Sequence, residues 1–200
     1  MFWIFSDFLF KLRRKFFCQA SPFICNAYNL SPSVGIKNTT IIGLPYVRGN
    51  VSISPGSVLV SLRDGNALGI HQPCRLVATS GFIEIGSHFR ASGVCIYSSL
   101  SVVIGDHVTV GPGVTIIDDD MHPIDPDRRR LNLQGAPPQP IKIGNNVWLC
   151  KDVTILKGVE IGDRSIIGAG VVVSKSIPPD TIVTHADAAI ALKNLHSNQS

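Results

Sequence analysis

The sequence predicts an all-β chain, a parallel β-helix in which short strands and tight corners coil into a solenoid. Three observations predict it. From residue 143 to 174 an aliphatic residue returns at every sixth position: Ile143, Leu149, Ile155, Ile161, Ile167 and Val173. A small or β-branched residue tends to return four places later, at Val147, Val153, Val159, Ser165 and Val171. Gly and Asn gather between them, at Gly144, Asn145, Asn146, Gly158, Gly162, Gly168 and Gly170. A period of six is neither that of a helix nor that of one continuous strand. It fits three short strands closing a triangular coil of about eighteen residues, with successive coils stacked as parallel strands roughly 4.8 Å apart. The aliphatic residue faces the narrow interior, the small one fits near the corner, and Gly or Asn takes the unusual corner dihedrals.

Composition agrees. Two hundred residues suggest one domain, and only 16% of them are charged against 18 Gly and 13 Pro. The net charge of +4 is modest and partly gathered in the run from Lys11 to Lys15, which argues against a nucleic-acid partner. Cysteines stand at 18, 25, 74, 95 and 150, an odd number without CxxC or Cys/His zinc spacing. They read as reduced packing thiols of a cytoplasmic protein. Cys95 falls at a small-residue position of a hexad.

Residues 1–38 form an N-terminal unit. The opening MFWIFSDFLFKLRRKFF is too short in its apolar part to span a bilayer, which takes about 20 residues, and lacks the charge and cleavage pattern of a signal peptide. As a helix it would be largely apolar, with Lys11, Arg13, Arg14 and Lys15 at its far end. Either it lies in a membrane interface, with the basic cluster on anionic head groups, or it packs on protein. The polar stretch from Cys18 to Asn38, with Pro22 and Pro32, is a connector.

The solenoid is expected over residues 39–177. Ile41, Val47, Ile53 and Leu59 open it; the register blurs between Leu62 and Phe82, where a coil with altered corners is expected. The pattern returns at Ile85, Ala91 and Tyr97, then at Ile104, Val110 and Ile116. His88 and His107 take equivalent places in successive coils and should stack at one corner, as exposed corner residues or as substrate contacts. Between Ile116 and Ile143 the polar, proline-rich DDDMHPIDPDRRRLNLQGAPPQPIK offers no inward series, so residues 118–142 must leave the solenoid as a loop, a common seat of function. Residues 178–200 form a tail, read as a strand and a short helix.

DDDMHPIDPDRR, IGNNVWLCKDVTILKGVEIGDRSIIGAGVVVSKSIPPD and the Ser92-Gly93 pair together resemble the hexapeptide-repeat acyltransferases, closest to the maltose and galactoside O-acetyltransferases and the acetyltransferases of polysaccharide biosynthesis. The resemblance implies a left-handed β-helix, acetyl-CoA as acyl donor, no metal, and a homotrimer with active sites between neighbours. It implies His122 as catalytic base. An acceptor hydroxyl is a poor nucleophile until its proton is removed, and imidazole suits that task near neutral pH. Among the neighbouring carboxylates Asp120 is favoured to orient the imidazole, as in a triad. On the donor side the resemblance assigns Trp148 to the border of the groove, with burial at a corner as its alternative. It assigns the Lys151 backbone N–H to the thioester, Ala169 to the pantetheine arm, and Ser174 and Lys175 to the nucleotide end. Ser92, Asp118 and Arg128 are placed with the acceptor. Two departures stand out: Trp148-Leu149-Cys150 replaces the family's WIG, and THADAAIAL replaces its GxPAK-like end.

These readings converge on transfer of an acetyl group to a hydroxyl of a sugar or lipid-linked glycan precursor, in the cytoplasm or at the cytoplasmic membrane face. The alternatives are a serine or small-molecule O-acetyltransferase and a catalytically idle scaffold. A γ-type carbonic anhydrase on the same fold would need a pair of zinc histidines five residues apart, which His71, His88, His107, His122, His185 and His196 do not supply.

Overall fold

The six-residue period is realised as three flat faces. A computed structural model describes residues 35–36, 38–186 and 189–194, the last six as backbone. Residues 1–34, and with them the N-terminal segment considered above, lie outside the described residues.

The first face stacks residues 50–53, 82–85, Ser101–Ile104, Ile141–Ile143 and Glu160–Ile161, with Gly35–Ile36 at one end and a bridge to Ile177 at the other. The second stacks Thr40–Ile42, Val58–Val60, Arg90–Ser92, Thr109–Val110, Trp148–Leu149, Ile166–Ile167 and Thr181–Ala186. The third stacks residues 46–48, 75–78, Cys95–Ser98, Thr115–Ile117, Thr154–Ile155 and Val172–Val173. All these pairings are parallel, and the chain visits the faces in the same cyclic order in every coil. The result is a left-handed parallel β-helix.

The interior is the predicted series. Ile143, Leu149, Ile155, Ile161, Ile167 and Val173 are each at most 1% exposed, as are Val147, Val153, Val159, Ser165 and Val171. One apolar column runs unbroken from Val47 to Val183. Fully burying each such side chain contributes about 1.5–3 kcal/mol, which is how two-residue strands hold together at all. Phe89 is the one aromatic in the buried cluster, and Ala91, two residues on and facing the same way, is correspondingly small.

The repeat departs from the expected register once. Tyr97 was expected inside, yet Ile96 is the buried residue and pairs with Ile116, while Tyr97 pairs with Ile117 and faces out. The corner at Gly93 is one residue short, which shifts the strand. For the same reason Cys95 lies on the outer surface rather than at a small interior position. In the early coils, Tyr46–Ile53 and Arg75–Ile85 bend around a corner as single strands. Gly49 makes this possible: its φ is 88°, and a Cβ there would stand 1.8 Å from the Ala78 carbonyl oxygen.

The edge between the first and second faces is built from repeated turns. His88 and His107 both have φ of 58°, and their rings stack at 4.7 Å with 12° between planes, as their equivalent sequence positions required. Beside them, each coil's carboxylate or amide accepts from the previous coil's backbone: Ser87 N to Asp106, Asp106 N to Asn145, Asn145 N to Asp163.

The excursion spans residues 118–140, since the strand Ile141–Ile143 already belongs to the first face. It contains one short helix, Pro126–Arg130, capped by the Asp125 carboxylate. Beyond 177 the solenoid continues through Thr181–Ala186, and Ala189–Asn194 returns antiparallel to it. The expected terminal helix is therefore a strand, and the hairpin covers what would be an open sheet edge.

Candidate active site

The loop that carries His122 is anchored by a buried carboxylate. Asp118 has no exposed surface, and its two oxygens accept from the Ser98 hydroxyl at 2.8 Å and from the N–H groups of Ser99, Leu100 and Ser101 at 2.7, 2.9 and 2.9 Å. A bare interior charge is costly; four donors satisfy this one. Asp118 was expected to meet the acceptor. It is committed instead to holding the loop's exit against the preceding coil. The loop's return is tied at the same point, with Gln139 N donating to the Asp118 carbonyl at 3.0 Å.

From this base the chain makes a tight turn. His122 N donates to the Asp120 carbonyl at 2.7 Å, and Met121 between them has φ of 62°, a left-handed conformation uncommon for a non-glycine residue. The Asp119 carboxylate accepts from Met121 N at 2.9 Å. The imidazole of His122 is exposed and has no hydrogen-bond partner among the described residues. Asp120 was expected to orient it; its carboxylate lies instead 2.6 Å from Lys157 Nζ. Behind His122 the returning strand of the loop passes so closely that a Cβ on Gly135 would lie 2.9 Å from the His122 carbonyl oxygen.

The arginines brace the loop from within. Arg129 donates to the carbonyls of Pro123 and Ile124 at 3.0 and 2.8 Å, Arg130 pairs with Asp127, and Arg128 reaches the Gln134 carbonyl at 3.4 Å. Arg128, expected near the acceptor, thus spans the end of the short helix.

The remaining candidates fall on two different edges of the prism. His122 and Asp120 share the edge between the third and first faces with Lys157, Ser174 and Lys175, which occupy the same corner in the next two coils. Ser174 and Lys175 are exposed. Ser92, Lys151 and Ala169 belong to the edge between the second and third faces. Ser92 is buried and its hydroxyl accepts from Asn66 Nδ2 at 3.1 Å. Trp148 stands on the second face next to that edge, 48% exposed, so it is a surface side chain and not a corner filler. Lys151 pairs with Asp152 through its amine, while its backbone N–H, like that of Ala169, meets no acceptor among the described residues. At this corner Gly111, Cys150 and Gly168 are stacked neighbours, linked through Gly111 N to the Leu149 carbonyl and Cys150 N to the Ile167 carbonyl. Cys150 is the only one of the three with a Cβ, and partial burial pushes its thiol above the ordinary range. Small side chains at 168–170 and the open N–H of Ala169 suit the approach of a narrow, amide-bearing arm.

Residues 140–175 match the family model of the bacterial transferase hexapeptide, six repeats. Residues 140–175 thus carry the bacterial transferase hexapeptide repeat. Over 101 residues it is 42% identical to the galactoside O-acetyltransferase of Escherichia coli, covering 50% of this chain and 48% of that one. Among solved structures it resembles a hexapeptide-repeat containing acetyltransferase from Vibrio cholerae at 35% identity and a TM-score of 0.51, over 57% of this chain and 64% of that one. It also resembles a galactoside acetyltransferase in complex with coenzyme A, at 27% identity and a TM-score of 0.53, over 93% and 78% of the two chains. The chain spans about half the length of the curated relatives it matches.

Lys157 and Gly135 carried no signal in the sequence, and Arg129 was legible only as part of a basic run, facing an anion or solvent. A lysine at a solenoid corner reads as a solvated side chain, and a loop glycine reads as composition. Only the folded loop shows that all three hold its shape.

Proposed function

We propose that this protein is an acetyl-CoA-dependent O-acetyltransferase acting on a hydroxyl of a sugar or glycan precursor, with His122 as general base. The observation that carries the reading is the exposed, unpartnered imidazole of His122 held on a braced loop, in a fold whose relatives include galactoside O-acetyltransferases. Coenzyme A is bound in one of the similar structures.

The acyl donor supplies an activated thioester carbonyl. The chain's own residues manage the proton and the developing charge. His122 accepts the hydroxyl proton as the acceptor oxygen bonds to the carbonyl carbon, then returns it to the sulfur as the carbon–sulfur bond breaks. The products are an ester and a free thiol. The open Lys151 N–H is suited to the oxygen that becomes negative in between. Ala169 and its flanking glycines leave room for the pantetheine arm, and Trp148 walls the groove. Lys175, exposed and without a partner among the described residues, suits a phosphate of the nucleotide end.

Because His122 and Lys151 stand on different edges, we infer a homotrimer in which one copy's His122 meets another's donor-binding edge. The third face supports this. Its outward residues Cys95, Tyr97, Thr115, Ile117, Thr154, Leu156 and Val172 are uncharged, with Arg48 and Arg75 confined to its first two coils, whereas the first face displays Glu84 and the Lys142–Glu160 ion pair beside the excursion. A largely uncharged surface suits burial in an assembly. A role in cell-surface polysaccharide synthesis, with residues 1–17 holding the protein to the cytoplasmic membrane face, fits the apolar and basic N-terminal sequence. Equal recovery in membrane and soluble fractions with and without those residues would remove that part.

The central test is release of free CoA from acetyl-CoA in the presence of sugars and nucleotide sugars, beside His122→Ala. Acceptor-dependent release that falls roughly 10²–10⁴-fold in the variant, at unchanged assembly, is expected. Equal release by both proteins would remove His122 from the chemistry. A wild-type protein that neither releases nor binds CoA would favour the idle scaffold.

A further inference from the structure

We infer that Lys157 and Asp120 form a clasp that positions His122, an inference that rests on the acyltransfer reading above. Lys157 Nζ lies 2.6 Å from Asp120 Oδ2 and 3.4 Å from the Pro137 carbonyl oxygen. It therefore ties the outgoing arm of the excursion at 120 to the returning arm at 137. Lys157 itself belongs to a rigid element: it follows the strand Thr154–Ile155 and precedes the buried Val159, at the corner directly beyond the one where the excursion leaves.

The clasp is more confined than a surface ion pair. The Lys157 side chain is only 18% exposed and the Asp120 side chain 44%, against 76% for both partners of the Arg130–Asp127 pair in the same loop. A second bond from the neighbouring backbone continues it: Gly158 N donates to the Gln139 carbonyl at 3.3 Å. Asp120 transmits the restraint directly, because its own carbonyl accepts from His122 N in the tight turn through Met121. The path from the solenoid to the imidazole is thus Lys157, the Asp120 carboxylate, the Asp120 backbone, and His122. Asp120 acts through position and not through contact with the ring. A displacement of about 1 Å at a reacting group costs roughly a hundredfold in rate, which is the scale on which such a restraint matters.

The test uses the full chain with Lys157→Met, Asp120→Asn, both together, and Lys157→Arg. CoA release gives kcat, KM and the pH profile, and hydrogen exchange reports on residues 118–140. Each single variant is expected to lower kcat about 10–100-fold with KM for acetyl-CoA nearly unchanged. The double variant should lose no more than either single one, since both break one link, and Lys157→Arg should recover most of the rate. Exchange should rise across the excursion and stay unchanged in the strands, while the pH limb that reports the base keeps its midpoint. Additive losses, unchanged exchange, or a shift of that limb in Asp120→Asn alone would overturn the clasp, the last by showing direct carboxylate–imidazole contact. Absence of turnover in the wild-type chain would sink the acyltransfer reading instead, and the exchange data would still decide whether Lys157 holds the loop.

Discussion

Replacing Asp118 tests how the solenoid tolerates its one long interruption. Four donors converge on its carboxylate: the Ser98 hydroxyl and three successive backbone N–H groups. In Asp118→Ala all four lose that acceptor. The Ser98 hydroxyl keeps the Phe82 carbonyl at 3.0 Å, so the burden falls on the three N–H groups. A buried donor left without a partner costs about 1–3 kcal/mol, so three cost roughly 3–5 kcal/mol once partial hydration of the turn is allowed for. Asp118→Asn is the finer probe. An amide oxygen can replace Oδ2, which serves three of the donors, but its NH₂ must then face the N–H of Ser99. That variant should lose about 1–3 kcal/mol, one donor's worth. Native-state hydrogen exchange at Ser99, Leu100 and Ser101 reads these energies locally: about 1.4 kcal/mol is a tenfold change, so Asp118→Ala should speed exchange by at least about a hundredfold. Exchange at these amides within a factor of a few of wild type in both variants would refute the assignment.

Gly135→Ala places a methyl group within 2.9 Å of the His122 carbonyl oxygen, so it should lower kcat about tenfold or more while moving the melting temperature little; an unchanged kcat would show that the loop yields there freely. Phe89→Ala should cost about 3–5 kcal/mol in denaturant unfolding, because the side chain is fully buried and its column offers only small neighbours to collapse into the space. Burial raises the thiols of Cys74 and Cys150, so at neutral pH both are held in the neutral form and less thiolate is available than for a free cysteine. Alkylation of Cys150 should therefore accelerate as pH rises beyond the ordinary thiol range, with Cys74 slower still; rates equal to a free thiol at neutral pH would contradict this.

The interior was legible because only the interior repeats. Every inward residue from Ile143 to Val173 stands where the spacing put it, and the His88–His107 stack followed from the same arithmetic. The misplacement of Tyr97 shows the limit of that arithmetic. Cys95-Ile96-Tyr97 offers consecutive apolar residues, so a corner shortened by one position leaves no mark in composition. The terminal hairpin was missed for a related reason: Ala189–Asn194 pairs antiparallel with Thr181–Ala186, a contact outside the repeat. At the loop, the excursion that carries His122 was legible and the contacts that hold it were not. Asp118, Asp119 and Asp120 are identical in type and adjacent in sequence, yet one is buried under four donors, one accepts from Met121 N, and one pairs with Lys157.

That division among three neighbouring aspartates follows from how a solenoid can open a loop. Each coil binds the next through parallel strands, so an insertion must leave and re-enter at one corner without disturbing the ladder on either side. Asp118 closes the corner toward the preceding coil, and Lys157 reaches up from the following one. The excursion is thereby fixed to the rigid stack from both directions at its base, and its apex remains free to meet other molecules. Ile124 and Leu131, 86% and 71% exposed, lie in that outer part. On the reading proposed above, in which His122 is the base, rigidity is supplied below it and variation is left to the residues beyond it.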